Sequence, residues 1–281
     1  MIRNILIKIL RLYTRYFPIR RGKERLINLI DKNNPPHKVE LVNFHRDLRI
    51  ELNLGEHIQR RIYYYGYIEY NTVKILMSKL KAGSIVADIG ANIGQYTLIA
   101  AHEVQEFGEV HAFEPNAEVY AALERNVLLN GFTNVHLNHV AVANREEAEH
   151  VFFAPRSDNW GSGSLAKTTY KLSEAGYSVP VITLDQYFAE RERKPELIKI
   201  DVEGAELLVL KGAQSLIETS KPIIITELSA ENFAAFGYTI QDLTEYLVRH
   251  GYEISKILDN GRLAAIPADT TFCNAICVPV T

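Results

Sequence analysis

The chain has 281 residues, 47% of them apolar and 23% charged, with a net charge of −3. That composition excludes a largely disordered chain, and the charge gives no general reason to expect nucleic acid as a partner. The length allows one large α/β domain with a modest extension, or two small domains.

The charge is uneven. Residues 1–30 carry eight basic side chains against Glu24, a local +7, which leaves −10 on the other 251 residues. Within this head, Ile5, Ile9, Leu12 and Tyr16 recur at helical spacing, and Leu6, Leu10, Tyr13 and Phe17 widen the apolar face. Lys8, Arg11 and Arg15 fall on the other side, Ile7 interrupts that side, and Pro18 stops the helix. Charge breaks the run too often for a membrane span, and there is no uninterrupted apolar stretch with a cleavage site as in a signal peptide. Two placements follow: docking on the main domain with the arginines in water, or peripheral contact of residues 2–17 with an anionic membrane. The expected location is cytoplasmic, at most peripheral at a membrane. Cys273 and Cys277 lack a second pair for a zinc site and read as strand residues in a reducing compartment.

Asn33-Asn34-Pro35-Pro36 marks a linker, so residues 1–36 form a first unit. VELVNF and LRIELNL then alternate around Arg46-Asp47 as a hairpin, and YIEYNTVKILMSKLKAG predicts a helix over 67–83 ending at Gly83. These make a second unit, 37–83. From 84 to 281 strands and helices alternate: strands at Ile85–Ile89, Val110–Phe113, Val135–Val142, Leu197–Val202 and Ile223–Leu228, with helices near 95–106, 117–130 and 205–218. That rhythm predicts a doubly wound, mainly parallel sheet. Residues 151–183, including SDNWGSGSLA, break it and read as a lid or binding loop.

The first strand ends on Asp88 and turns through Gly90 and Gly94 into a helix, a turn that belongs at the ligand-binding edge of a parallel sheet. The next strand ends on Glu114, 26 residues later, where a carboxylate can accept hydrogen bonds from both hydroxyls of a ribose. A dinucleotide turn wants G-x-G-x-x-G for a pyrophosphate; here the spacing is G-x-x-x-G with an acid before it. Asp88 repels an anion and suits a cofactor carrying an ammonium and a sulfonium. That favours S-adenosylmethionine over NAD; the alternatives are an NAD-dependent oxidoreductase on a similar sheet and a degenerate interaction protein of the same fold.

DIGANIGQYT at 88–97, FEPN at 113–116 and IKIDVEGAE at 198–206, with IYYYGYIEY at 62–70 and TLDQYF at 183–188, resemble FkbM-type methyltransferases over roughly residues 40–260. The resemblance implies a class I, Rossmann-like methyltransferase fold of seven strands, the last antiparallel, a place Phe272–Val278 can fill. By position it implies that Asp88, Gly90, Asn92 and Gly94 line the methionine part of the cofactor and Glu114 its ribose. Ala91 and Tyr96 of the same turn, Pro115 and Asn116 of the next, and Val142 complete the candidate set. It further implies O-methylation of a sugar or natural-product hydroxyl, and the expected partner is a small-molecule, glycan or lipid-linked acceptor.

Such a hydroxyl is about as weak an acid as water, with a pKa near 15.7, and needs a base or a metal as it attacks. Asp201 and Glu203 are the candidate catalytic carboxylates; with Glu227 they offer the oxygens a divalent cation such as Mg²⁺ wants. Glu206 suits a helix N-terminus, and His139 is a weaker candidate base. Tyr63, Tyr64, Tyr65 and Trp160 are either platforms for a sugar face or core aromatics. Asn33–Pro36 differs in place from the Asn-Pro-Pro-aromatic motif of amino-group methyltransferases, which follows the fourth strand, so methylation of a nucleobase is disfavoured.

Overall fold

A computed structural model describes residues 2–16, 22–23, 25–27, 39–154, 163–166 and 176–280. Pro18, the linker at 33–36, Trp160 and most of SDNWGSGSLA lie outside them. Helix α1 (Ile2–Tyr16) precedes a hairpin of β1 (Val39–Asn43) and β2 (Arg49–Asn53), then α2 (His57–Tyr65) and α3 (Tyr70–Lys79). The hairpin turns where expected, with Arg46 at φ 47°. The third helix is shorter than expected, because Glu69 before it takes φ 52° and Leu80 after it is extended.

Helix α1 docks, but not on the face its sequence suggests. Ile7, Leu10 and Thr14 are buried, while Leu6, Ile9 and Leu12 are exposed at 47%, 56% and 60%. Nor are Arg11 and Arg15 left to water. Arg11 donates to the Tyr63 carbonyl at 3.1 Å and Thr14 to the Tyr64 carbonyl at 2.6 Å. Arg15 donates to the carbonyls of Asn43 and Phe44 at 2.9 and 2.7 Å. The last turn of a helix leaves carbonyls without intrahelical donors, and α1 turns its donors toward those of α2. Satisfying main-chain carbonyls outweighs apolar periodicity here.

The main sheet runs through β3 (Ile85–Ile89), β4 (Glu109–Phe113), β5 (Val135–Asn138), β9 (Leu197–Ile200), β10 (Ile223–Ser229), β11 (Tyr252–Ile257), β12 (Leu263–Ala264) and β13 (Phe272–Pro279). Its order is β12-β11-β13-β10-β9-β3-β4-β5. Strands β10, β9, β3, β4 and β5 are parallel, and β13 lies antiparallel between β10 and β11. The expected seven strands with an antiparallel last strand are present; the two-residue β12 adds an eighth at the edge. Cys273 and Cys277 are free and buried on β13.

Alternate residues of the central strands feed two cores. Val86, Val110 and Leu197 pack with the hairpin, α1–α3, α4 (Gln95–Val104) and α5 (Ala117–Leu129). Ile85, Ala87, Ile89, Phe113, Ile198 and Ile200 pack on the other face. That face is covered by α6 (Leu184–Ala189), α7 (Glu206–Lys211), α8 (Gln214–Thr219), α9 (Ala230–Ala234) and α10 (Ile240–Arg249). The expected helix at 205–218 is thus two short helices.

Two expectations are corrected between β5 and β9. The single strand 135–142 divides at residues 139–140, and its second half, β6 (Ala141–Val142), leaves the main sheet. The expected loop 151–183 takes in the end of β7 (Glu147–Phe152) and all of β8 (Tyr177–Ile182), which with β6 form a second sheet in the order β6-β8-β7.

Candidate active site

The site is built where β3, β4 and β9 end. Gly90 and Ala91 both donate to the Phe113 carbonyl at 3.0 Å, and Asp201 donates its N–H to the Ile89 carbonyl at 3.0 Å. Gly90 has φ 77°, and a Cβ there would lie 1.8 Å from the Asp201 carbonyl oxygen. Only glycine lets these two turns touch. The contact brings the glycine turn after β3 and the DVEG turn to one cavity.

That cavity receives Gly90 and Asn92 from the first turn, Glu114 and Pro115 from the second, and Asp201 and Glu203 from the fourth strand's end. Ile89, Phe113, Val140, Ala141 and Val142 supply apolar wall, so β6 leaves the main sheet in order to line the site. Phe152, Gly163 and Leu165 close over it. The segment 163–166 is fastened there by two main-chain bonds between Ser164 and Phe153, and by the Ser164 hydroxyl donating to the Glu203 carbonyl at 3.0 Å.

The other candidate residues stand behind the lining. Asn116 caps α5, accepting from the N–H groups of Glu118 and Val119, and donates its own N–H to Glu114 Oε1 at 2.8 Å. Asn92, held at φ 52°, donates its N–H to Glu114 Oε2 at 2.9 Å. Glu114 is thus aimed from both sides, and each of its oxygens keeps a lone pair for a further donor. Burial pushes its pKa up to about 7 against these two bonds. Ala91 and Gly94 are buried, with Gly94 at φ 99° opening α4 against Leu123.

Asp88 is not the bare acid its sequence position suggests. It is 1% exposed, accepts from the Thr97 hydroxyl at 2.6 Å, and has Lys199 Nζ 3.8 Å away. The expected repulsion of an anion is therefore softened by Lys199. Asp88 lies behind the turn, shaping it from beneath.

Lys199 is the hub that the sequence reading missed. Buried at 5% exposure, it donates to Asp201 Oδ2 at 3.2 Å and to the Gly90 carbonyl at 3.3 Å, and sits 4.7 Å over the Tyr96 ring. Burial works against its charge, but Asp201, Asp88 and Glu69 outweigh that and raise its pKa. Glu69 was missed too. Its carboxylate accepts from Tyr96 at 2.8 Å and from Asn274. It is brought in because the Gln95 side chain pairs with the main chain of Ile68, accepting at 2.7 Å and donating at 3.0 Å. The signal for Glu69 was its place in IYYYGYIEY; Lys199 follows only from parallel register, which sets it beside Asp88.

Carboxylates outnumber cations here. Burial, then repulsion from Asp201, pushes Glu203 up to about 8 and drives Glu227 well above the carboxylate range. Glu203 has φ 53° and accepts from Asn232 at 2.8 Å. Glu206 folds back to accept from the N–H groups of Val202 and Gly204 at 3.1 and 3.0 Å, so it holds the turn rather than facing the cavity. Among the described residues, Asp201, Glu203 and Glu227 do not form a group with oxygens within 4.8 Å of one another; as folded they are not a metal-ligand set. His139 Nε2 lies 3.1 Å from the Pro115 carbonyl and its ring stacks on Tyr120, which accounts for it structurally. Tyr63 and Tyr64 are 2% and 1% exposed and belong to the core, not to a sugar platform.

Residues 88–254, more than half of the chain, match the methyltransferase FkbM domain. The chain belongs to the FkbM methyltransferase family. It is an S-adenosylmethionine-dependent methyltransferase of this type, and its sheet order is that of the class I fold. It is 28% identical over 193 residues to the hexuronic acid methyltransferase AglP of Haloferax volcanii, covering 67% of this chain and 72% of that one. It is 23% identical over 145 residues to methyltransferase 1 of Beauveria bassiana, covering 46% and 58%. A crystal structure of an FkbM methyltransferase from Methylobacillus flagellatus aligns over 98% of this chain and 59% of that one, at 19% identity and a TM-score of 0.46.

Proposed function

We propose that this FkbM methyltransferase methylates a hydroxyl group of a sugar, with Asp201 accepting the proton. When bound, S-adenosylmethionine supplies a methyl carbon already activated by its sulfonium. Glu114 accepts from the ribose hydroxyls, its lone pairs free for them, and Asp88, through the turn of Gly90, Ala91, Asn92 and Gly94, shapes the bed for the methionine part. Pro115 and Val142 frame the same cavity, Asn116 aims Glu114 from behind its lining, and Tyr96 steadies Glu69.

The observation that carries the reading is the position of Asp201. Its side chain is one-third exposed, lines the cavity beside Gly90, and has its counter-charge from Lys199. As the acceptor oxygen bonds to the methyl carbon and the carbon–sulfur bond breaks, its proton passes to Asp201. Positioned proton transfer of this kind contributes roughly 10²–10⁴-fold. Glu203, pushed up to about 8, is protonated at neutral pH and donates to the acceptor instead. The AglP likeness supports a hexuronic acid as the first class to test. Incubating enzyme, labelled S-adenosylmethionine and uronic-acid glycosides should give an O-methyl sugar by mass spectrometry and NMR. Transfer to amines but to no sugar hydroxyl contradicts this reading.

A second reading concerns the exposed stripe Leu6, Ile9 and Leu12, with exposed Lys8 between them, in a strongly basic head. No helix among the described residues is long and apolar enough to cross a membrane. The stripe supports peripheral contact with anionic lipid, which would bring the site to a lipid-linked acceptor. Sedimentation with anionic vesicles should show binding that weakens with salt and is lost when a charge enters the stripe, as in Ile9→Glu; no binding at low salt refutes it.

A further inference from the structure

At the opposite end of β4 from Glu114, three side chains converge that the methyl-transfer site does not use. Glu109 and His111 lie two residues apart, on one face of β4, and His136 stands beside His111 in the parallel register of β5. His111 Nε2 and His136 Nε2 are 3.2 and 3.4 Å from the same oxygen, Glu109 Oε2. The two imidazole rings are stacked, with centroids 4.6 Å apart and planes 11° apart. All three potential ligand atoms lie within 4.8 Å of one another.

We propose that Glu109, His111 and His136 bind a divalent cation of the zinc class. Zinc takes imidazole nitrogen and carboxylate oxygen at about 2.0–2.2 Å in a tetrahedron, whose edges are then about 3.3–3.5 Å. The two nitrogen–oxygen separations already match such edges. His111 is fully buried, yet its Nε2 makes no hydrogen bond, despite the carboxylate beside it. A cation between them satisfies that atom. The other ring nitrogen, Nδ1, is 3.0 Å from the Tyr187 hydroxyl, the kind of outer contact that orients a ligating histidine. Glu109 has no lysine or arginine within 4.0 Å among the described residues; Arg191 stacks on the Tyr187 ring, 4.3 Å from its centroid. The similar group His45, His102 and Glu103 differs here, because Arg46 already holds Glu103 at 3.1 Å. Glu109 and His136 are partly exposed, which leaves an entry path and room for a water as fourth ligand. The ion would clip the edge strand β5 to β4.

The test uses untagged, chelator-treated full-length protein. Equilibrium dialysis with Zn²⁺ should give one equivalent bound, Co²⁺ should give the visible bands of a tetrahedral site, and Zn²⁺ should raise Tm. His136→Ala and Glu109→Gln change partly exposed residues and should leave the fold intact. Each should weaken binding by roughly a hundredfold or more and remove the Tm rise, while His102→Ala changes neither. Absence of stoichiometric binding in the wild type overturns the proposal. So does binding that survives both substitutions, or that is lost in His102→Ala instead.

Discussion

At the residue scale, Glu114 shows what a sequence discloses and what it withholds. Its place at the end of the second strand was legible, because strand ends and acids are both visible in FEPN. Its two N–H donors, from Asn92 and Asn116, were not, since they depend on how two turns face each other. Lys199 was illegible for a related reason: a lysine inside LIKI reads as an interruption until register sets it against Asp88 and Asp201. Glu114→Ala should weaken S-adenosylhomocysteine binding by about ten- to a hundredfold, the value of roughly 1.5–3 kcal/mol for charged hydrogen bonds. Calorimetry checks this, and an unchanged dissociation constant removes Glu114 from the ribose site.

At the element scale, periodicity identified strands and helices but not which face each buries. The stretch 135–142 looked continuous because both its halves are apolar, yet β6 pairs with β8 instead of β4. Helix α1 was misread because arginine donors, not only apolar side chains, decided its docking. The DVEG turn and its neighbours carry an electrostatic consequence. Burial raises Glu114 and Glu206 to about 7 and Glu203 to about 8, all above their unfolded range near 4.5. Between pH 4.5 and 8 the native state therefore binds more protons than the unfolded chain, so the free energy of unfolding falls as pH rises through that window. Melting scans from pH 5.5 to 8.5 should show Tm dropping by several degrees. Glu203→Gln should flatten part of that drop, and a Tm that rises with pH contradicts the buried-acid account.

At the scale of the whole molecule, the strand–helix alternation disclosed the doubly wound sheet, and Phe272–Pro279 took the antiparallel place. The second sheet and the return of 163–166 over the cavity were hidden, because nothing local marks a long-range bridge between Ser164 and Phe153. On the function proposed here, labour is divided across one cavity: β3 and β4 would hold the cofactor side, β9 and its turn the acceptor side. Gly90 keeps the two in contact. Asp201→Asn tests that division most directly, because it preserves size and removes charge. S-adenosylhomocysteine affinity and Tm should stay near wild type, while methyl transfer falls by roughly 10²-fold or more, as for a lost general base. Equal loss of cofactor binding and turnover, or no loss of turnover at all, would contradict it.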